Sequence, residues 1–137
     1  MPQRTLVLLK PDATRRGLIG EIISRIERKA DWVITAMDLR SLDAATLEAH
    51  YGEHLGKPFY EPLLEFMSSG PVVALIVEGE SVIEGVRALA GKTNPIEAGP
   101  GTIRGDFATI TRENLIHASD SEGSAEREIK IFFPAHS

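Results

Sequence analysis

"SSGPVVALIVEGESVIEGVRALAGK", residues 68–92, is the stretch on which the fold turns. After Gly70-Pro71, VVALIVE (72–78) is a run of apolar and β-branched residues, the composition of a buried strand. Val82, Ile83, Val86 and Leu89 then recur at helical spacing, which predicts an amphipathic helix closing at Gly91. A strand running directly into a helix indicates an α/β layered domain, and the rest of the chain repeats the alternation. TLVLL (5–9) reads as a buried strand. Ile19, Ile22, Ile23 and Ile26 read as the apolar face of a helix. WVITAMDL (32–39) reads as a second strand, followed by a helix over 43–53 capped by Ser41 or Asp43. A short helix follows Pro58, a short strand lies at 115–118, and a last helix over 121–133 buries Ala125, Ile129 and Phe132 or Phe133. With about four strands, the expected architecture is an α/β sandwich of ferredoxin-like type, a four-stranded antiparallel sheet packed with helices.

The chain has 137 residues, 42% of them hydrophobic, enough for one core, so a single domain over 1–137 is expected. No apolar run approaches a membrane span, and the run before Lys10 is too short for a secretory signal. The absence of cysteine excludes disulfides and thiolate chemistry. A cytoplasmic, soluble protein is the expectation. The formal net charge of −5 argues against general nucleic-acid binding. If a polyanion binds, a few placed cations carry it, and Lys10, Arg87 and Arg104 are the candidates.

Three patterns come close to known motifs. GVRALAGKT (85–93) has five residues between its glycines where a P-loop needs four, and its first glycine falls within a helix. GPGTIRG (99–105) follows a loop instead of the strand a dinucleotide fingerprint requires. HYGEH (50–54) satisfies H-x-x-E-H, but Gly52 interrupts the helix and Gly56-Lys57-Pro58 ends it. The pattern is read as a polar helix face with incidental histidines. The glycine- and proline-rich stretch from Gly91 to Glu113 is longer than an idle connection and reads as a functional loop.

NLIHASDS (114–121) puts His117 between a strand and a helix start. Glu128, about two turns into that helix, can reach back to the ring. A carboxylate on one ring nitrogen fixes the tautomer and leaves the other nitrogen's lone pair free as a nucleophile. A helix start beside it favours an anion.

NLIHASDS resembles the active-site signature of the nucleoside diphosphate kinases, N-x-x-H-G-S-D. TLVLLKPDATRRGLIGEII, HYGEHLGKPFY, FMSSGPVVALIVEGE, GKTNP, PGTIRGDF and SAEREI stand in the family's order along nearly the whole chain. The resemblance implies transfer of the γ-phosphate of a nucleoside triphosphate, typically ATP, to a nucleoside diphosphate by a ping-pong route through phospho-His117. Glu128 and Ser119 would orient the ring, with Tyr51 beside it. Lys10, Arg87, Thr93 and Arg104 would contact phosphates, and Lys10 and Asn114 the sugar hydroxyls. Phe59 would stack on the base, a contact tolerant of base identity. Mg2+ would ride on the nucleotide phosphates with Asp120 nearby. The loop of 91–114 would bring Thr93, Arg104 and Asn114 to the nucleotide. A homo-oligomer, tetramer or hexamer, would form, with 32–39 able to pair across a dimer.

The chain departs from the family at three places. Ala118 replaces the glycine after the histidine; if that position required positive φ, alanine would cost on the order of 1 kcal/mol. Ala30-Asp31 replace a glycine and a large apolar residue, and Thr111 an apolar residue near the base. Ala118 is the only support for an alternative reading, a nucleotide-binding module without turnover.

Overall fold

The computed structural model describes residues 2–137. Four strands form one sheet: β1 Pro2–Leu9, β2 Val33–Arg40, β3 Val72–Glu80 and β4 Ile116–Ala118, in the order β2-β3-β1-β4. Every neighbouring pair is antiparallel. Thus β1 and β2 run parallel with β3 between them, the split arrangement of a ferredoxin-like sheet. Seven α-helices surround it among the described residues: α1 Pro11–Arg15, α2 Ile19–Lys29, α3 Ala44–Tyr51, α4 Tyr60–Met67, α5 Val82–Ala90, α6 Ile103–Phe107 and α7 Glu122–Phe132.

The central strands are apolar runs because both of their faces are covered. Val7, Leu9, Val73, Leu75 and Val77 pack with Ile22 and Ile26 of α2 and Val82, Ile83 and Val86 of α5. Leu6, Leu8, Ala74 and Ile76 pack on the other side with Leu47 of α3, Met67 of α4 and Ile129 and Phe132 of α7. Strand β2 lies at one edge, and its register against β3 slips between Ile34 and Ala36, a bulge that increases local twist. Among the described residues no helix is long and apolar enough to cross a membrane.

Several expectations shift in detail. Asp43, not Ser41, caps α3, its side chain accepting from Thr46 N. Strand β4 begins at Ile116 because Leu115 has φ 74°, outside strand geometry. The loop of 91–114 contains α6, five residues capped by Thr102, and α1 follows β1; both are too short for a periodicity signal. HYGEH does not present one helical face. His50 ends in α3 while His54 lies in a following 3₁₀ turn, and His50 is buried instead of belonging to a polar surface.

Trp32, directly after Ala30-Asp31, is partly buried against the core on the α5 side of the sheet. Its ring occupies a notch in which a Cβ on Gly79 or on Gly85 would come within 2.4 Å of it. Its indole N–H donates to the Glu80 carbonyl at 3.0 Å. Ala118 carries no backbone penalty: only Ser81 and Leu115 among the described non-glycine residues have positive φ. Its methyl is buried in the core cluster on the α5 side of the sheet.

Candidate active site

A cavity of about 480 Å³ opens where β1 ends and β4 meets α7, walled by α3 on one side and by α5 and the 91–114 loop on the other. Lys10, Tyr51, Arg87 and Thr93 line it, as do Arg104, Asn114, His117 and Glu128. Asp120 stands at its edge. These expected site residues come together from seven separated places in the chain. Ser119 lies behind the wall, fully buried. Phe59 is outside the lining, with its ring half exposed and 5.2 Å from that of His54, which does line the cavity.

Pairing of His117 with Leu8 in the central strand turns the imidazole to the α3/α7 side of the sheet, opposite to Ile116 and Ala118. There Nε2 lies 2.9 Å from Glu128 Oε1. Ser119 Oγ donates to the same carboxylate oxygen at 2.8 Å and accepts from Leu6 N at 3.1 Å. Burial raises the Glu128 carboxyl, but hydrogen bonds from His117 and Ser119 outweigh it and hold the group below its ordinary value. An ionised Glu128 accepts the Nε2 proton, so in the neutral ring the lone pair is on Nδ1, which has no hydrogen-bond partner in the protein. Ser119 thus acts on the ring through Glu128.

The opposite wall is cationic. Arg104 spends three N–H groups on backbone carbonyls: Nε on Asn114, and the two terminal nitrogens on Gly91 and Ile116. Two of its five donors remain for a ligand. Burial, with Arg87 nearby, lowers its pKa to about 10, still fully charged at neutral pH. Lys10 Nζ donates to Asn114 Oδ1 at 2.8 Å. Burial pulls Lys10 down to about 8, against the raising effect of Asp12 and with Arg104 adding to the lowering. Asn114 Nδ2 donates to the Thr93 carbonyl at 3.0 Å, so this residue ties the loop to Lys10 at the end of β1. Arg87 is exposed and reaches only the Ala118 carbonyl, at 3.4 Å. Asp120 is held below the usual carboxylate range by hydrogen bonds from Ser124 and Ser121 and by Arg87.

Sequence reasoning missed two residues. Asp12 is buried and its Oδ2 accepts from Leu115 N at 3.1 Å, while Lys10 N donates to Leu115 O at 2.9 Å. This reciprocal clamp holds Leu115 in its left-handed conformation. An aspartate after a helix-opening proline was its signal. His50 is buried with its ring edge-on to those of Tyr51, His117 and Phe132. Its position three residues after buried Leu47 on the same helix face was the signal there.

A profile of the family described as Nucleoside diphosphate kinase matches residues 3–137. The chain belongs to the nucleoside diphosphate kinase family. It is 79% identical over 134 residues to the nucleoside diphosphate kinase of Streptomyces griseus subsp. griseus, covering 98% of each. To that of Mycobacterium tuberculosis it is 60% identical over 135 residues, again 98% of each. The structure is similar to that of a halophilic nucleoside diphosphate kinase from Halobacterium salinarum in complex with CDP. There the TM-score is 0.94 at 44% identity, over 97% of this chain and 88% of that one. A family protein from Babesia bovis matches at TM-score 0.93 and 41% identity, over 98% and 90%. Nucleoside diphosphate kinases are phosphotransferases, and a cavity that pairs a free imidazole nitrogen with clustered cations suits that chemistry.

Proposed function

We propose that this chain transfers the γ-phosphate of a nucleoside triphosphate to a nucleoside diphosphate, with His117 Nδ1 as the nucleophile in both half-reactions. The observation that carries the reading is the Nε2 contact with Glu128, which occupies that nitrogen and keeps Nδ1 for the phosphorus. The Nδ1 lone pair attacks the γ-phosphorus, the bond to the β,γ-bridging oxygen breaks, and the diphosphate leaves with that electron pair. The ring gains positive character, which ionised Glu128 stabilises through Nε2–H. A terminal oxygen of a second nucleoside diphosphate then attacks the same phosphorus and frees the imidazole. Phosphoryl transfer gives a protein little covalent work, so positioning and charge decide the rate.

Lys10, Arg87 and the two unused donors of Arg104 contact phosphate oxygens, with Thr93 beside them. Lys10 and Asn114 meet the sugar hydroxyls. Tyr51, kept neutral because burial and Glu128 both push its hydroxyl pKa up, offers a hydrogen-bond donor. Phe59 stacks on the base, its exposure suiting a platform for any of the bases. The donor set fits Mg2+ carried on a nucleotide: the oxygen ligand at hand is the ionised Asp120, and hard cations choose oxygen. When bound, the ion neutralises phosphate charge.

The protein works as a single domain in the cytoplasm and as a homo-oligomer built on dimers, a tetramer or hexamer. Supporting assembly, edge strand β2 exposes Val33, Met37 and Leu39, and an uncovered apolar edge is a pairing surface.

Incubation of the purified protein with γ-labelled ATP tests the reading. An acid-labile, base-stable label on His117, discharged by a second nucleoside diphosphate, is expected. Absence of labelled protein would favour a nucleotide-binding module without turnover.

A further inference from the structure

One buried side chain has no part in that chemistry. Neither ring nitrogen of His50 has a hydrogen-bond partner in the protein, although the residue is 96% buried (4% exposed) and its ring centroid is 4.8 Å from that of His117. Buried polar atoms are nearly always paired, so each exception asks for a reason. One ligand atom each from His50, His117 and Glu128 lies within 4.8 Å of the others.

We infer that His50, His117 and Glu128 form an inhibitory site for a divalent cation of the Zn2+ class. Two imidazoles and a carboxylate are the donor set of open, three-ligand zinc sites, with the cavity supplying the fourth position. A tetrahedral ion at bonds of about 2.1 Å separates its ligand atoms by about 3.4 Å, so side-chain shifts of the order of 1 Å close the cluster. His50 is ready as a ligand because both of its ring nitrogens are buried without a hydrogen-bond partner. Ser119 fixes Glu128 from behind, the outer-shell support that metal-binding carboxylates use. Against the ion stands Arg127, whose guanidinium is 3.6 Å from Glu128 Oε2 and lowers its affinity. Mg2+ is excluded by preference, since it takes oxygen ligands in octahedral geometry, whereas borderline cations favour imidazole.

Occupation silences the nucleophile by either route. An ion on His117 Nδ1 uses the attacking lone pair itself. An ion on Nε2 displaces the proton shared with Glu128; the proton moves to Nδ1 and blocks attack there. This consequence rests on His117 being the phosphorylated residue; the binding does not.

The test therefore has two arms. In the first, chelator-stripped protein labelled with 15N-histidine is titrated with Zn2+ without nucleotide. The expected result is one ion per chain at micromolar free Zn2+, with the ring signals of His50 and His117 shifting ahead of those of His54 and His136. In His50→Phe and His50→Gln, binding weakens by about tenfold or more. No saturable binding, shifts confined to His54 or His136, or equal affinity in a folded His50 variant overturns the proposal. In the second arm, Zn2+ at the same free concentration suppresses phosphate labelling from ATP and chelator restores it, while equal added Mg2+ does not suppress it. Undiminished labelling with the site filled overturns the inhibitory role. A protein that never labels, yet binds Zn2+ through His50, overturns the catalytic reading and leaves the site standing.

Discussion

The two walls of the cavity are built on different principles. The His117 wall is a single chain of contacts, Leu6 N to Ser119 to Glu128 to His117, mostly buried and anchored in β1 and α7. The cationic wall shares its task among Lys10, Arg87 and Arg104, and much of its hydrogen bonding holds the backbone of the 91–114 loop. A chain of single contacts fails when one link is lost. A distributed charge degrades by steps.

The largest test of that contrast is His117→Ala. Turnover falls by at least about four orders of magnitude and no phosphoprotein forms, while nucleotide affinity, measured by calorimetry, changes only a few-fold. Substantial exchange activity in this variant would break the comparison outright. Glu128→Gln comes next. It keeps the shape but cannot balance the charge that develops on the ring, so kcat drops by about a hundredfold with KM little changed. A loss confined to KM would mean that the carboxylate serves binding.

Effects on the cationic wall are smaller and mixed. In Arg104→Lys the planar fork is gone and carbonyls of Gly91, Asn114 and Ile116 lose partners. We expect about 2 kcal/mol less stability in urea unfolding, together with a roughly tenfold fall in kcat/KM. Lys10 gives a pH signature. Its pKa is lowered to about 8, so charge, and with it kcat/KM, declines as pH rises through about 8. Lys10→Arg moves that limb to higher pH. The same shift makes the free protein gain stability from about pH 8 up to the ordinary lysine value of 10.5, because only the unfolded lysine stays protonated there. The smallest functional effect is expected at Gly85→Ala, on the side of α5 that faces Trp32. The added methyl meets the Trp32 ring, and overpacking outweighs alanine's helix preference, costing about 1 kcal/mol in thermal unfolding with kcat unchanged.

Legibility in the sequence followed the length scale of each feature. Apolar runs and helical spacing exposed the central strands and the long helices, because burial on one or two faces leaves a repeating trace. Glu128 was legible because a helix start is directional: a residue two turns in can face back to the loop before it. The five-residue helices α1 and α6 span little more than one turn and leave no period. The role of Ser119 in bracing Glu128 depends on Leu6, more than a hundred positions away, and local reading does not reach that pairing. Family motifs gathered Lys10, Arg104 and Asn114 at one place. They said nothing of how much of each side chain is occupied in holding the backbone. His50 reads as part of a polar helix face because its neighbours are polar, whereas buried Leu47 three residues earlier places it on the inward face.

Leu115, turned left-handed and clamped by Asp12 and Lys10, has one further effect. The chain reverses its twist there just before entering β4, so Asn114 and His117 are both referred to the same short end of β1, one through Lys10 and one through Leu8. Ammonium and imidazole are therefore gauged from a common datum at the end of an interior strand of the sheet.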